Sequence, residues 1–96
     1  MLELRPGCEL CDRDLPPEST DAMICTFECT FCARCVHERL FNVCPNCGGG
    51  FVPRPIRPRE PLSRYPPSAK RVVKPLDSAK HEGFLARYRD MPPERR

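Results

Sequence analysis

Eight cysteines lie between positions 8 and 47, and none lies elsewhere in the 96 residues. They run as four close pairs: Cys8/Cys11, Cys25/Cys29, Cys32/Cys35 and Cys44/Cys47. A two-residue spacer lets both thiolates of a tight turn converge on one tetrahedral ion, so this spacing suits zinc. Eight thiols fill two four-cysteine sites with none to spare. The cysteine-rich stretch, residues 1–52, is near the size at which a hydrophobic core alone stops being sufficient. Its apolar residues are few and scattered: Leu2, Leu4, Leu10, Leu15, Met23, Ile24, Phe27, Phe31, Val36, Leu40, Phe41, Val43 and Phe51. A structural zinc site contributes roughly 10–16 kcal/mol in a small peptide. Two such sites decide whether a chain of this kind folds, and the metal-free chain is expected to be largely unfolded.

The competing framework is four disulfides, which belongs to secreted proteins. The opening MLELRPGCEL carries Glu3, Arg5 and Glu9 and has no apolar h-region, so it does not read as a signal peptide. No stretch approaches the roughly 20 apolar residues of a membrane span. A reducing cytoplasm is therefore the expected setting, with two Zn2+ ions as the expected cofactors and no small-molecule substrate.

Composition changes at Pro53. Residues 1–52 carry a formal charge of −4 and residues 53–96 a formal +7. Two four-thiolate zinc sites would each add a net −2, which makes an acidic module with a basic tail. Residues 53–76 are rich in proline and arginine and are expected to run extended, because proline disfavours both helices and sheet ladders. Such an arm has three readings: it tracks an acidic protein surface or, through Arg54, Arg57, Arg59, Lys70, Arg71 and Lys74, nucleic-acid phosphates; it is a solvated tail; or it lies across its own acidic module. Alanine at Arg54, Arg57 and Arg59 together is expected to leave folding intact and to weaken any acidic partner; a melted variant would mean that the arm is docked on its own module. Residues 77–96 form a C-terminal tail, in which 77–91 reads as a short helix capped by Asp77 or Ser78. Phe84, Tyr88 and Met91 fall on one face of it, and Gly83 weakens it.

Within the module, residues 21–27 read as a short strand with a return strand through Thr30 and Phe31. Residues 33–41 read as a helix, with Val36 and Leu40 on one face and Cys35 in its first turn. There the backbone N–H groups and the positive end of the helix dipole favour a thiolate. Cys44-Pro45-Asn46-Cys47-Gly48 reads as a zinc knuckle in which Gly48 takes a positive φ.

This order of pairs resembles the cross-braced RING finger family, in an all-cysteine form with Cys29 where histidine is usual. The resemblance implies a small metal-stabilised α+β fold, a RING-like or treble-clef zinc module with a short hairpin and one short helix. It also implies that Cys8, Cys11, Cys32 and Cys35 share one zinc and that Cys25, Cys29, Cys44 and Cys47 share the other. Spacing by itself leaves a sequential grouping open, Cys8/Cys11/Cys25/Cys29 and Cys32/Cys35/Cys44/Cys47. In the RING family an apolar residue in the first knuckle and a proline in the last help form a groove for the ubiquitin-conjugating enzyme. Leu10 and Pro45 match those positions, while Gly48 stands where a basic residue often follows the final cysteine. A second resemblance spans the module from Met1 to about Pro58. MLELRPGCELCDRDLPPEST, ECTFCARC and CPNCGG are similar to an uncharacterised bacterial family of short eight-cysteine proteins, domain of unknown function number twelve seventy-two. That family brings no established activity and implies a bacterial cytosol, where ubiquitin ligation is not expected.

Catalysis is not expected. A catalytic zinc keeps an open position and usually has histidine or carboxylate ligands, and here no thiol is spare as a nucleophile. His37 and His81 read as surface histidines, with His37 the one realistic substitute ligand. The expected function is a non-catalytic zinc module that binds a protein partner. Nucleic-acid binding through the tail, a RING-type ubiquitin ligase and a thiol redox or metal sensor are the alternatives.

Overall fold

A computed structural model describes residues 1–96. Around the second cysteine pair the chain folds as the expected hairpin. Strand β1 (Ala22–Ile24) runs antiparallel to β2 (Thr30–Cys32), with Ala22 opposite Cys32 and Ile24 opposite Thr30. The turn between them is closed by Glu28, whose φ of 63° lets its N–H reach the Cys25 carbonyl at 3.0 Å. A third strand, β3 (Val52–Pro53), was not anticipated. It pairs antiparallel with the other side of β1, giving the order β2-β1-β3. Pro53 is tolerated there because it lies on an edge strand, where a missing N–H breaks no inner ladder. The change of composition at Pro53 therefore falls inside a strand rather than between structural units.

The expected helix after β2 is present but changes its winding. One turn of α1 (Ala33–Cys35) widens into a π-helical turn, Val36–Leu40, and the Phe41 N–H bonds to the Val36 carbonyl. Phe41 and Asn42 then take φ of 54° and 58°, and the helix stops. Val36 and Leu40 are fully buried. They join Leu15, Ala22, Phe31 and Phe51 in a core cluster of twelve residues, of which the other six are cysteines. Phe31 and Phe51 meet edge to face, with centroids 5.4 Å apart. Half of this interior is thiol, so the apolar core is not self-sufficient.

The tail departs most from expectation. Residues 53–76 are not simply extended: α2 (Arg59–Leu62) forms within the proline-rich run. Pro61 sits in its first turn, where no N–H is required. The segment after α2 crosses the module, with Leu76 packed against the core and the Lys74 N–H on the Glu9 carbonyl at 3.2 Å. Helix α3 (Ser78–Tyr88) follows, capped by the Asp77 carboxylate through the Lys80 N–H at 3.1 Å. His81 is not a surface residue. It is 3 % exposed, and its Nε2 lies 3.1 and 3.0 Å from the carbonyls of Leu40 and Val43, the last turn before the fourth cysteine pair. No helix is long and apolar enough to cross a membrane.

Candidate metal centres

Two local backbone motifs build the first and fourth pairs in the same way. Cys8 and Cys11 bracket a turn that closes when the Asp12 N–H reaches the Cys8 carbonyl at 2.9 Å. Cys44 and Cys47 bracket one that closes when the Gly48 N–H reaches the Cys44 carbonyl at 2.8 Å. The closing residue needs a positive φ, which is 63° at Asp12 and 79° at Gly48. Aspartate tolerates this conformation better than most side chains, and glycine tolerates it best.

Tertiary bonds then bring the pairs together. The Glu9 N–H donates to the Thr30 carbonyl at 2.9 Å, tying the first knuckle to β2 just before Cys32. The Glu9 side chain, 3 % exposed, accepts from the Thr30 N–H and from Arg5 Nη1, the latter at 2.9 Å. This buried carboxylate pins the knuckle and was missed, because a glutamate between two cysteines carries no pattern that marks it as interior. At the other end, Asn42 Oδ1 accepts the Phe51 N–H at 2.9 Å and β3 lies beside β1, so the fourth pair is drawn to Cys25.

The sulfurs gather as two groups. Those of Cys8, Cys11, Cys32 and Cys35 all lie within 4.8 Å of one another, as do those of Cys25, Cys44 and Cys47. The chain thus brings the first pair to the third and the fourth to Cys25 of the second. Cys29 stands outside that mutual set of three. Asn46 Nδ2 donates to its sulfur at 3.4 Å. His37 is exposed and joins neither group.

The donor chemistry fits a soft dication. Sulfurs about 2.3 Å from a tetrahedral ion are about 3.8 Å apart, and Cys11 and Cys32 are separated by 3.7 Å. Without a cation the packed thiols work against one another's ionisation. Bonds from Cys29 and Cys44 pull Cys25 down to about 3. Its neighbour Cys44 is pushed far up, first by its bonds to Cys25 and Cys29 and then by burial. Burial, followed by the Cys32 thiol, likewise pushes Cys35 well up. Burial raises Cys8. Burial also opposes the Cys11 thiolate, but bonds from the Arg13 N–H and from neighbouring thiols outweigh it, and Cys11 is lowered. A cation at the centre replaces this competition with attraction for every sulfur.

The basic residues read as a phosphate-tracking arm are largely committed inside the molecule. Arg54 is 4 % exposed and donates to the carbonyls of Arg5 at 2.8 Å, Leu15 at 3.1 Å and Pro16 at 2.9 Å. Burial lowers its pKa, and no carboxylate faces it. Arg57 donates to the carbonyls of Leu2 and Tyr65. Arg71 bonds to Asp12 and Asp14 of the first knuckle, each at 2.8 Å. Arg59 and Lys70 remain exposed, and Lys74 is tethered through its backbone. The tail lies across its own module because its arginines meet carbonyls and carboxylates that the module leaves unpaired.

Helix α3 closes over the fourth pair. A methyl group on Gly48 would lie 2.9 Å from the Tyr88 ring and 3.0 Å from that of Phe84, at a backbone φ that already disfavours a side chain. Gly48→Ala is expected to destabilise the chain by about 2 kcal/mol or more and to strip amide-exchange protection from α3. Gly83, mid-helix, has nothing within 4 Å. Gly83→Ala is expected to stabilise by about 0.5–1 kcal/mol. Thermal melts of the two variants check both signs.

The fold and the site define a small cysteine-rich α+β protein with two thiol clusters that could each hold a metal ion. The chain belongs to the family described as a protein of unknown function, DUF1272, whose model matches residues 1–57. It is similar to an uncharacterized protein of Rhizobium meliloti (strain 1021), with 65% identity over 79 residues, covering 82% of this chain and 94% of that relative. That alignment is longer than the family match, so the likeness continues into the docked tail. No solved structure matches the chain.

Proposed function

We propose that the chain is a non-catalytic zinc protein with two closed four-thiolate sites, one formed by Cys8, Cys11, Cys32 and Cys35 and the other by Cys25, Cys29, Cys44 and Cys47. On this reading the module is a cross-braced, RING-like fold of a reducing cytoplasm, and it acts by presenting a surface to a protein partner. The observation that carries it is the gathering of seven of the eight thiols into two groups, with Cys11 and Cys32 separated by the edge of a zinc–thiolate tetrahedron. Both sites are saturated by protein ligands, which leaves no coordination position for a substrate. The surface that best suits a partner is a cleft of about 720 Å³ beside the second cluster, bounded by Phe27, Phe51, Val52 and Tyr88. Phe27 at its lip is 71 % exposed.

Native mass spectrometry of protein purified from a reducing cytosol without added metal is expected to give two zinc ions per chain with every thiol reduced. A metal-free chain lacking the hydrogens of all eight thiols would mean four disulfides, and the zinc reading would fall.

A further inference from the structure

The two clusters differ in how they meet solvent. In the first, Cys8, Cys32 and Cys35 are 0, 1 and 3 % exposed, whereas Cys11 is open to solvent. A cleft of about 560 Å³ opens onto Cys11, Cys32 and Cys35, and Arg13, Arg34 and Arg39 stand around it. Arg13 is paired with Asp21 and Arg34 with Glu38, while Arg39 has no carboxylate partner. In the second cluster the most open ligand is Cys47, which is half-buried and faces the apolar cleft. The arginine that lines this cleft, Arg96, is committed to the carbonyls of Met91, Asn42 and Gly48. An exposed thiolate under positive charge with a second sulfur 3.7 Å away has the arrangement of a redox-reactive pair.

We propose that Cys11 is the site at which peroxides oxidise this protein, and that Cys32 resolves the product. The Cys11 thiolate attacks one peroxide oxygen. An S–O bond forms, the O–O bond breaks, and hydroxide leaves toward the arginine-lined mouth. Sulfur is oxidised by two electrons and the peroxide is reduced. The Cys32 thiolate then attacks the sulfenic sulfur, forming an S–S bond and expelling hydroxide, which leaves as water after taking a proton from solvent. Two of the four sulfurs of the first cluster are then no longer thiolates, and that cluster loses its hold on a cation. The oxidation step rests on the geometry alone; the loss of metal rests also on the zinc reading above.

The test uses the full chain, loaded with zinc and treated with less than one equivalent of hydrogen peroxide. The species lighter by two hydrogens is isolated and its disulfide mapped by peptide mass spectrometry, with zinc followed by a chromophoric chelator. A disulfide joining Cys11 to Cys32, formed as zinc appears, is the expected result. A first disulfide that omits Cys11, in particular one that contains Cys47, overturns the proposal. A mapped Cys11–Cys32 disulfide in a chain that never held zinc would retain the oxidation site and remove the zinc reading. Cys11→His keeps a metal ligand while removing the nucleophile. It is expected to slow peroxide-driven zinc release by roughly tenfold. Release from Cys11→His at the unaltered rate overturns the proposal.

Discussion

Replacement of Cys32 by serine is expected to unfold the whole chain, not one half of it. Cys32 ends β2 and begins α1, is 1 % exposed, and lies 3.7 Å from the Cys11 sulfur. On the zinc reading, serine there removes one thiolate from a site that needs all four, and it leaves a hydroxyl in an interior built half of sulfur. A structural zinc site contributes roughly 10–16 kcal/mol, more than the entire stability of most domains of this size. The interleaved grouping spreads the damage. Elements that hold the first cluster, the knuckle at Cys8 and the start of α1, lie on either side of the β1–β2 hairpin that carries Cys25 and Cys29. Circular dichroism and proton NMR dispersion should both collapse in the variant, as they should when a strong chelator is added to the unaltered chain. If the variant retains dispersed resonances for the residues around Cys44, the two clusters are independent and the cross-braced reading fails.

Arg54→Ala should produce the next largest loss, about 3 kcal/mol. The side chain satisfies the carbonyls of Arg5, Leu15 and Pro16, and its removal leaves buried acceptors without donors. Hydrogen bonds to a charged group contribute about 1.5–3 kcal/mol, and each orphaned buried group costs about 1–3 kcal/mol. For a domain of this size the melting midpoint should fall by more than about 10 °C. Arg54→Lys should not restore it, because an ammonium lacks the planar fork that reaches two peptide carbonyls from one nitrogen and a third from the other. Arg59, which is exposed and unpaired, supplies the comparison: its alanine variant should melt within a degree or two of the parent. Equal melting of the Arg54 and Arg59 variants would show that the tail contributes nothing to folding. The earlier expectation that alanine at Arg54, Arg57 and Arg59 together is harmless is replaced by a melted chain, with Arg54 responsible for most of the effect.

The cysteine spacing and the hairpin were legible because their causes are local. A two-residue spacer, a β-branched or aromatic run and a glycine after the last cysteine act over a few residues, and the chain shows each at its expected place. The helix after β2 was placed by the spacing of Val36 and Leu40, but its widened turn was not. That winding follows from where Phe41 and Asn42 must turn to present Cys44, a tertiary demand with no sequence mark. Arg54 was read as part of a basic arm, His81 as a surface residue and Glu9 only as one more charge near the start of the chain, and all three are interior. Each is buried because a distant backbone group, at Arg5, Thr30 or Leu40, lacks a partner, and such vacancies exist only once the fold does. Prolines were over-read in the same way: Pro53 and Pro61 are compatible with a strand edge and a first helical turn.

The arginines that fasten the tail donate mainly to peptide carbonyls: Arg54 to three, Arg57 to two, Arg71 to Pro6 and Asp12 in addition to its carboxylates, and Arg96 to three more. A carbonyl is the same acceptor whatever side chain stands beside it. The module's surface at positions such as Leu2 and Pro16 can therefore drift in sequence without undocking the tail, so long as the backbone keeps its path. Tolerance to change is distributed unevenly across this contact. Where the receiver is a carbonyl its own side chain is free to vary, whereas the arginines, and the Asp12 and Asp14 carboxylates that hold Arg71, are not. A tail taken from a divergent relative should seat on this module as well as its own does, provided those arginines come with it.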